Sequence, residues 1–384
     1  MFQKLKNIYH LIQAAIANIY YGFPSRRLKV IGVTGTDGKT TTSHLIAHIL
    51  KSSGKKVSFI STVLAEIGGK YYDTGFHVTT PSPFALQKFL KLSADKDDEY
   101  FVLETTSHAI DQNRIWGIRY EVAVLTNITH EHLDYHRSYE EYVKTKEKLI
   151  KMSRIGVINK KDESYRYLSQ ISKLKSQNYI SNLKTVEKIE KLTEFNKENY
   201  AAAYTVCKFL GISDEEILKA MKTFELPKGR LELVYDGDFK VIIDFAHTPN
   251  AFQNLLPEVK RQFTKNKGRL IHVFGAAGLR DKTKRPLMGL VSSEFSDYII
   301  LTEEDFRTEK PEEICRQIAS GFAKKIKFEM IINREQAIFK AIKMAKKDDV
   351  VILTGKSHEK SLCRGKIEYP WSEHGAVKTA ISKI

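Results

Sequence analysis

The segment Thr34–Thr42 has the residue types that bind a polyphosphate. It reads Thr-Gly-Thr-Asp-Gly-Lys-Thr-Thr-Thr and directly follows an apolar run that ends at Val33. A strand that stops at glycines before a helix points backbone N–H groups and the positive end of that helix at one place, where an anion is stabilised. Lys39 would lie on the β- and γ-phosphates, and Thr40 would hold Mg²⁺. Because the strict P-loop pattern has glycine at the position of Val33, the segment is a variant of that loop.

Polar side chains also follow two other predicted strands. Glu104 comes after the apolar run that ends at Leu103, and a carboxylate at the carboxyl end of a strand beside a P-loop is a common Mg²⁺ ligand. After Leu125, three histidines and two carboxylates lie within seven residues: His130, Glu131, His132, Asp134 and His136. Imidazole and carboxylate can share a divalent ion, so this cluster is a candidate metal or catalytic site. The alternative is a polar helix start with solvated side chains.

The elements that position these residues alternate between strand and helix. We predict strands at 29–33, 56–61, 100–103 and 122–125, and helices at 41–50, 83–92, 139–151, 197–210 and 213–224. This alternation predicts βαβ units and a mostly parallel sheet covered by helices on both faces. The strand before Thr34–Thr42 and the helix after it are the context that a P-loop requires, which disfavours a chance Gly/Thr-rich turn. The Lys/Ser/Asn-rich stretch 160–191 is weakly patterned and is placed at the periphery.

A second α/β series follows Pro227-Lys228-Gly229, which is typical of a linker. Its strands are predicted at 241–244, 270–274, 298–302, 328–332 and 350–354, with helices between them. The 384 residues exceed what one hydrophobic core usually supports. We therefore predict an α/β protein with an N-terminal amphipathic helix at 1–28, a central P-loop ATPase domain at 29–226 and a C-terminal Rossmann-like α/β domain at 227–384.

Charge and cysteine content narrow the range of partners and compartments. The formal net charge of +16 suits polyanionic partners such as nucleotide-sugar phosphates, nucleic acid or an anionic membrane surface. Lysines spread along the whole chain without a nucleic-acid-binding signature, so we expect no nucleic-acid partner. The cysteines Cys207, Cys315 and Cys363 have no metal-type spacing and indicate a reducing cytoplasm. No apolar run approaches the roughly 18 residues of a membrane span, and no signal-peptide pattern follows the N-terminus.

The first 22 residues have an apolar pattern at helical spacing. The apolar residues are Leu5, Ile8, Leu11, Ile12, Ala15, Ile16, Ile19 and Tyr20. One interpretation, which we prefer, is a helix that packs on the body of the protein. The other is a helix that lies on a membrane surface, helped by the basic charge.

Ten segments follow one another in the order found in a known enzyme family. They are Thr34–Thr42, His77–Pro81, Glu104–Arg114, Asn127–His136, Tyr142–Leu149, Asn196–Ala203, Gly229–Glu232, Asp244–Pro249, Gly275–Gly289 and Gly355–Glu359. Each alone is a weak signal, but ten in register are specific. The chain therefore resembles the Mur ligase family, most closely its MurE type, from residue 29 to about residue 380, except in the lysine-rich middle.

The resemblance implies an ATP-dependent amide ligase of cell-wall precursor synthesis. In such enzymes a substrate carboxylate attacks the γ-phosphate of ATP, and an incoming amine then displaces phosphate from the acyl phosphate. Positive charge must be fixed where charge develops on the transferring phosphoryl group. The matching catalytic positions are Lys39, Glu104, His132, Lys146 and Arg230. By the same resemblance, Thr40 and Glu104 hold a first Mg²⁺, Glu104 and His132 hold a second, and Lys146 is a carbamylated, metal-side lysine.

The resemblance also assigns ligand-binding positions. For ATP these are Gly35, Thr36, Asp37, Gly38, Lys39, Thr40, Thr41, Asn196, Asn199, Arg230, Asp244 and His247. For a muramoyl-dipeptide acceptor they are Thr79, Thr80, Thr106, Gln112 and Arg114. For the incoming diamino acid they are Arg280, Asp305, Arg307, Gly355 and Glu359. Arginine suits a carboxylate and a carboxylate suits an ammonium group, as an amino-acid substrate demands.

The chain departs from the MurE pattern at three places. The loop Asp-Asn-Pro-Arg, which selects meso-diaminopimelate, reads Glu304-Asp305-Phe306-Arg307 here, so Arg307 favours diaminopimelate while L-lysine stays open. The segment Gly275–Arg280 lacks the usual Cys-Gly-Gly-Asp before its arginine. Only 33 residues precede Thr34, where MurE proteins carry a UDP-sugar-binding domain. Either other surfaces or a partner hold the UDP portion, or the acceptor is not a UDP-muramoyl peptide. The resemblance as a whole still implies UDP-MurNAc-L-Ala-D-Glu or a related precursor as the acceptor.

Two alternatives stay open at this point. One is a Mur-type ligase for another acceptor, such as a glutamate chain, a folate or a lipid-linked compound. The other is a nucleotide-binding protein that keeps the fold but does not ligate. Lys39, Glu104, His132, Lys146 and Arg230 occur together, which favours a ligase. We expect a cytoplasmic monomer with small-molecule substrates, a nucleotide-sugar peptide and an amino acid, and we leave open a membrane contact through residues 1–22.

Overall fold

The computed structural model describes residues 2–72, 79–129, 131, 133–168, 176–187, 189, 192–323 and 325–384. The chain forms two compact units, Met1–Glu225 and Leu226–Ile384. Each unit has its own sheet and its own apolar core. Within the described residues, no helix combines the length and apolarity needed to cross a membrane.

In the described part of the first unit, eight strands form one sheet. They are β1 (Lys29–Thr34), β2 (Val57–Ile60), β3 (Ala65–Ile67), β4 (Lys70–Tyr72), β5 (Tyr100–Glu104), β6 (Tyr120–Leu125), β7 (Ser153–Ile158) and β8 (Ser176–Asn178). Their order is β4-β3-β2-β5-β1-β6-β7-β8. The strands from β2 to β8 in that order are parallel, and β3 and β4 add an antiparallel edge. The carboxyl ends of β5, β1 and β6 therefore meet at the middle of one sheet edge.

Helices cover both faces of this sheet. They are α1 (Phe2–Tyr20), α2 (Lys39–Ser52), α3 (Pro83–Ala94), α4 (Ser107–Asp111), α5 (Leu133–His136), α6 (Tyr139–Lys151), α7 (Leu183–Val186), α8 (Glu194–Phe209) and α9 (Asp214–Lys222). Successive strand residues point to opposite faces, so Ile31 and Val33 pack with α2, α8 and α9. Val30 and Leu103 pack on the other face with α3, α4 and α6. Burial of both faces explains why these strands are continuous apolar runs.

The predicted N-terminal helix is α1, and one of its faces is buried. Ala14, Ala17 and Asn18 are fully buried on that face. The Asn18 amide donates to the carbonyl oxygens of Ala14 and Trp116, both at 2.8 Å. The small alanines let the helix approach closely, and Asn18 fixes its position along the neighbouring loop.

The described residues of the second unit form a six-stranded sheet and a separate two-stranded ribbon. The strands are β9 (Glu232–Asp236), β10 (Lys240–Asp244), β11 (Leu270–Phe274), β12 (Tyr298–Leu301), β13 (Lys327–Met330), β14 (Val350–Thr354), β15 (Ser361–Arg364) and β16 (Ile367–Pro370). The sheet order is β13-β12-β11-β14-β10-β9, with only β9 antiparallel, and β15 pairs with β16. The helices are α10 (Pro249–Phe263), α11 (Lys284–Phe295), α12 (Pro311–Ala319), α13 (Arg334–Met344) and α14 (Glu373–Ile381).

Two polar side chains are satisfied deep inside the second unit. Arg334 and Glu373 form a fully buried ion pair with a shortest N···O distance of 2.5 Å, and Arg334 also donates to the Thr354 carbonyl at 2.8 Å. The ring nitrogens of His272 lie 2.8 Å from Ser292 Oγ and 3.0 Å from Thr354 Oγ1. Burial, and then the charge of Arg334, lowers the pKa of His272 to about 3, so the ring is neutral. These contacts tie α11, α13 and α14 to the sheet.

Candidate functional site

The candidate phosphate-binding loop lies between β1 and α2. β1 ends at Thr34, and α2 begins at Lys39 after the N-cap residue Gly38, whose φ is 79°. Glycine adopts this left-handed conformation without the steric cost of a side chain, which allows a sharp turn into the helix. A Cβ atom on Gly38 would also overlap Oδ1 of Asn199. The loop therefore presents bare backbone at a helix N-terminus, as close approach of a phosphate requires.

The loop that follows β6 holds this phosphate-binding loop in place. The N–H groups of Thr36 and Asp37 donate to the carbonyl and side-chain oxygens of Asn127, at 2.8 and 3.0 Å. The Thr126 hydroxyl donates to the Asp37 carbonyl at 2.7 Å. The Lys39 amine turns back and donates to the Thr36 carbonyl at 2.7 Å. Bare backbone and a lysine over the loop fit the phosphates of a nucleoside triphosphate.

The carboxylate of Glu104 is buried at the carboxyl end of β5, beside the start of α2. The Thr40 hydroxyl lies 3.1 Å from each of its oxygens. The hydroxyl and the N–H group of Thr62 donate to the same carboxylate at 2.8 and 2.9 Å. Hydroxyl and carboxylate oxygens are the hard ligands that Mg²⁺ prefers. The donor set of Thr40 and Glu104 therefore fits the predicted first metal position.

Lys146 is fully buried on α6, beside the phosphate-binding loop. Its amine donates to the Gly35 carbonyl at 2.7 Å and lies 4.6 Å from the centre of the Tyr142 ring. Burial, and then the nearby charge of Lys39, lowers the pKa of Lys146 well below its usual range. The structure thus favours the neutral amine, the form in which a lysine acts as a nucleophile.

The two residues matched to adenine binding lie on α8, against the first turn of α2. Asn196 and Asn199 are buried, and the Asn199 amide donates to Asn196 Oδ1 at 3.1 Å. The Thr42 hydroxyl lies 3.4 Å from Asn199 Oδ1. The structure therefore brings both asparagines to the phosphate-binding loop.

Four of the five positions matched to the acceptor form one connected group around Glu104. The Thr80 hydroxyl donates to the Glu104 carbonyl at 3.0 Å and accepts the Thr106 N–H at 3.1 Å. Arg114 donates to the Thr80 carbonyl at 2.7 Å. The Thr79 hydroxyl lies 3.0 Å from the hydroxyl of Thr62, a partner of the Glu104 carboxylate. The loop 79–80 and α4 thus lie directly beside the candidate metal position.

The fifth matched position, Gln112, belongs to a polar network that includes α1. Its amide lies 3.4 Å from the Tyr135 hydroxyl, which donates to Asp111 Oδ2 at 2.8 Å. From α1, the Asn7 amide donates to the same Asp111 oxygen at 3.1 Å, and the Gln3 amide donates to Tyr135. The N-terminal helix therefore borders the residues matched to the acceptor.

The predicted histidine cluster is only partly described. His77, His130 and His132 lie outside the described residues, so the proposed second Mg²⁺ ligand has no described position. His136 is buried on α5 with its Nε2 atom 3.0 Å from Ser107 Oγ. Burial lowers the pKa of His136 to about 4. Among the residues that are described, no three His, Cys, Asp or Glu side chains are grouped to hold a metal ion.

In the second unit, two of the positions matched to the amino acid, Asp305 and Glu359, pair with the buried amine of Lys356. This amine pairs with Asp305 at 2.8 Å and with Glu359 at 2.6 Å. Burial disfavours the charged lysine, but the carboxylates of Glu359 and Asp305 outweigh it and raise the pKa of Lys356. Gly355 has a φ of 100°, and a Cβ there would lie 2.7 Å from an oxygen of Glu304. Asp305, Gly355 and Glu359 are thus brought together at the carboxyl ends of β12 and β14.

Arg307 borders the same cluster. Its side chain donates to the Gly278 carbonyl at 2.6 Å, and the Gly278 N–H donates to the Asp305 carbonyl at 2.8 Å. Within the described residues, Glu304 Oε2 is buried without a hydrogen-bond partner. Burial, and then the charge of Asp305, raises the pKa of Glu304. The side chain of Arg280, another position matched to the amino acid, is exposed. A loop that carries both an arginine and an unsatisfied carboxyl oxygen fits a ligand with a carboxylate and an ammonium group.

Three further positions matched to ATP lie together at the start of the second unit. Both oxygens of Asp244 accept backbone N–H groups, one of them from Leu231 at 2.7 Å. The Arg230 guanidinium lies 4.8 Å from the centre of the Phe245 ring. The His247 ring nitrogen Nδ1 lies 2.8 Å from the Phe245 carbonyl. Asp244 therefore anchors the segment that carries Arg230.

Three residues that contact these positions were given no role from the sequence, although two of them lie within the matched segments Tyr142–Leu149 and Gly355–Glu359. Thr62 follows β2, the neighbour of β5, so the rule that parallel strands end at one edge could have identified it. Tyr142 precedes Lys146 by one helical turn on α6, a spacing that places both on one face. Lys356 carried no such signal, because lysine is rarely buried and its carboxylate partners are contributed by the fold.

Comparison with known sequences places both units in one family. A profile described as the Mur ligase middle domain matches residues 33–220, and one described as Mur ligase, glutamate ligase domain matches residues 229–357. The UDP-N-acetylmuramoyl-L-alanyl-D-glutamate–2,6-diaminopimelate ligase of Aquifex aeolicus is 38% identical over 94% of this chain and 79% of its own length. The UDP-N-acetylmuramyl-tripeptide synthetase of Borreliella burgdorferi is 37% identical over 96% of this chain and 79% of its own length.

Solved structures have the same fold. A UDP-N-acetylmuramoyl-L-alanyl-D-glutamate–2,6-diaminopimelate ligase matches with a TM-score of 0.57 and 27% identity, over 93% of this chain and 78% of that chain. A complex of E. coli FolC with DHPP and ADP matches with a TM-score of 0.71 and 17% identity, over 90% of each chain. At 17% identity, the second match speaks only for the fold.

Proposed function

This chain belongs to the Mur ligase family, and we propose that it joins a diamino acid to the D-glutamate carboxylate of UDP-MurNAc-L-Ala-D-Glu or a related cell-wall precursor, with ATP. The relative from Aquifex aeolicus is named for addition of 2,6-diaminopimelate to that acceptor. The observation that carries the proposal is the position of Glu104. Its carboxylate meets Thr40 of the phosphate-binding helix, and its carbonyl meets Thr80, a position matched to the acceptor.

The first chemical step is phosphoryl transfer to the acceptor carboxylate. Lys39 and the loop N–H groups oppose the charge that develops on the γ-phosphate oxygens. Mg²⁺, for which Thr40 and Glu104 are suitable ligands, would neutralise phosphate charge when bound. Thr80 and Arg114 orient the acceptor, whose carboxylate oxygen bonds to the γ-phosphorus as the bond to the ADP oxygen breaks. The diamino acid's neutral amine then attacks the acyl carbon, phosphate leaves, and the new amide nitrogen loses a proton.

Lys146 is proposed to carry a carbamate. A neutral amine adds to CO₂ to form a carbamate and release a proton, and burial, which lowers the pKa of Lys146 well below its usual range, favours that neutral form. The modification adds a carboxylate to the nitrogen that contacts the Gly35 carbonyl, and the oxygens of this anionic group could act as ligands beside the metal. His132 remains the proposed ligand of a second Mg²⁺ by resemblance alone.

The proposed amino-acid site is the cluster around Lys356. Arg307 suits the second carboxylate of meso-diaminopimelate, and the unsatisfied oxygen of Glu304 suits an ammonium group. Lysine has no second carboxylate, so we propose diaminopimelate as the preferred substrate. Arg280, Asp305, Gly355 and Glu359 are the other proposed contacts, while Asn196, Asn199, Arg230, Asp244 and His247 are proposed for ATP.

The working state proposed is a cytoplasmic monomer that acts on small molecules. The three cysteines are free and buried, which suits a reducing compartment. Contact of residues 1–22 with a lipid surface is a separate proposal that depends on the outer face of α1.

A coupled assay tests the proposed activity. Purified protein is mixed with MgATP and with UDP-MurNAc-L-Ala-D-Glu, with meso-diaminopimelate, or with both. ADP release is followed over time, and the masses of the products are measured by mass spectrometry. We expect ADP release only when both substrates are present, with one amide bond formed for each ADP. The Lys39→Ala variant should release none. ATP turnover that ignores both substrates, or ligation to a different acceptor only, would contradict the proposal.

A further inference from the structure

The outer face of α1 is an apolar surface that the first unit leaves uncovered. We define the outer stripe as Leu5, Ile8, Ile12, Ile16 and Ile19, each of which is more than half exposed. Steps of three and four residues place these side chains on one side of a helix. From first to last they span about 21 Å, at 1.5 Å per residue. Tyr9 and Tyr20, also more than half exposed, border the stripe. Isolated exposed leucines are ordinary, but a continuous aliphatic row marks an interaction surface.

The contacts on the inner face of α1 hold the helix in an orientation that points the stripe away from the first unit. Asn7 donates to Asp111 at 3.1 Å, and Asn18 donates to the Trp116 carbonyl at 2.8 Å. Ala14 and Ala17 are fully buried between them. Turning the helix to bury the stripe would break both hydrogen bonds and force large side chains into the space that the alanines occupy. The exposed stripe is therefore part of the folded state.

The charges that α1 and the turn after it carry have one sign. The first acidic residue of the chain is Asp37, so the whole of α1 and the turn after it contain none. Lys6 and Arg26 are exposed, and the exposed Tyr9 and Tyr20 border the stripe. An aliphatic row with basic and aromatic residues around it is typical of a helix that lies in the headgroup region of a membrane.

We propose that the outer stripe docks α1 flat on an anionic lipid bilayer. The aliphatic side chains would enter the boundary between headgroups and acyl chains, while Lys6 and Arg26 would contact lipid phosphates. A bilayer fits better than a second copy of the chain, because each copy carries a formal charge of +16 and two basic surfaces repel. Since α1 falls short of a membrane-spanning helix, the contact is peripheral.

Flotation of the full chain with vesicles tests this surface. One vesicle preparation contains equal parts of phosphatidylglycerol and phosphatidylcholine, and the other contains phosphatidylcholine alone. We expect the wild-type protein to float with the anionic vesicles and to stay in the dense fraction with the neutral ones. The double variant Ile12→Gln, Ile16→Gln should lose at least tenfold in bound fraction, because it removes the centre of the stripe. Lys6→Gln should weaken binding about fivefold.

Matched controls separate docking from folding. Ile367→Gln changes an isoleucine of similar exposure in the second unit and should leave flotation unchanged. Thermal unfolding of the double variant should match the wild type, because both isoleucines are exposed in the folded protein. Wild-type protein that fails to float, or equal flotation with neutral vesicles, would overturn the proposal. A wild-type dimer that the double variant converts to monomer, without flotation, would assign the surface to a second copy instead.

Discussion

Lys146 is a lysine, a residue type that is usually exposed, but here it is fully buried. Its sequence surroundings, a run of lysines on a polar helix, favour a solvated cation, whereas the fold buries the amine against the Gly35 carbonyl. Lysine lends itself to such positions because its pKa moves readily on burial. At the residue scale, burial of this amine is the observation that supports the carbamate proposed on Lys146.

Replacing Lys146 with alanine should lower kcat for ligation about a hundredfold or more, because the variant lacks the carbamate that we propose at the phosphoryl-transfer site. Acetate or propionate should restore part of the activity by occupying the vacated space, and chloride should not. The measurement is ADP release with both substrates at saturation. Lys151→Ala, on the same helix but paired with Glu147 at 2.8 Å, is the control and should keep wild-type activity. Full activity of Lys146→Ala without added acid would remove Lys146 from the site.

Arg307→Ala should raise KM for meso-diaminopimelate more than KM for L-lysine, by about tenfold or more, because a charge-assisted hydrogen bond to the second carboxylate is lost. Competition between the two amino acids, read by product mass, measures the ratio. Arg316→Ala removes an exposed arginine that pairs with Glu313 and should not change the preference. Equal losses for both substrates would mean that Arg307 acts only through its bond to Gly278.

Some individual contacts were predictable from the chain and others were not. The pairing of Glu104 with Thr40 follows from the rule that parallel strands end at one edge, and the structure gives it at 3.1 Å. The burial of Lys356 between Asp305 and Glu359 depends on loops that follow different strands, so it cannot be predicted from a local sequence pattern. Pairing between distant loops is a tertiary event, and it limits residue-scale inference.

At the scale of elements, apolar runs located the central strands well. The predicted α/β class with a large, mostly parallel sheet is confirmed, and β1, β2, β5 and β6 coincide with predicted runs. The hairpin of β3 and β4 was missed, because three-residue strands at an edge have too few residues to show a pattern. β7 was missed although it is mostly buried, since Ser153, Arg154 and Gly156 interrupt its apolar run.

The turn into α2 depends on a glycine that packs against α8. Gly38→Ala should reduce ATP affinity at least tenfold, because the new Cβ overlaps Asn199 and displaces α8 or the loop. Gly54→Ala is a close control, since Gly54 has a φ of 76° against 79° for Gly38 but has open space around it. Gly54→Ala should cost about 1 kcal/mol of stability and leave ATP affinity unchanged. Titration with a fluorescent ATP analogue measures the ATP affinity of each variant. Similar affinities for the two variants would contradict the packing argument.

At the scale of the whole molecule, two compact units each carry a sheet and a core. The resemblance to the Mur ligase family is confirmed by the matching profiles and by relatives 37–38% identical over most of the chain. The family was predictable because ten segments, each a weak signal alone, occur in the order that is found in the family. Charge and composition could not have done so, since many protein classes share a basic, mixed surface.

Both units should lose stability in acid through a buried neutral histidine. The pKa of His272 is lowered from 6.5 to about 3, and that of His136 from 6.5 to about 4. Below pH 6.5 these histidines therefore become protonated in the unfolded chain but stay neutral in the folded chain. The free energy of unfolding is unaffected above pH 6.5 and falls as the pH drops toward these lowered pKa values. For His272 the loss should reach about 2 to 3 kcal/mol at about pH 4.5.

Urea unfolding at neutral and acid pH measures this loss. His272→Asn should be less stable than the wild type at neutral pH, because it loses a hydrogen bond, but its stability should fall less steeply on acidification. His374→Asn, at a partly exposed position, is the control and should keep the wild-type slope. A His272→Asn variant with the wild-type slope would show that another group carries the acid sensitivity.

The contact of α8 with the phosphate-binding loop also bears on how the chain is made. Thr42 and Asn199 touch across 157 positions of sequence. Because the ribosome adds residues in order, α2 emerges long before its partner helix, by roughly 8 to 30 s at ordinary translation rates. Leu45, Ile46, Ile49 and Leu50, which end up fully buried, lack their α8 cover during that interval. Slow codons between these helices would prolong the time in which a nascent chain presents that apolar face to the ribosome surface, to chaperones and to other unfinished chains.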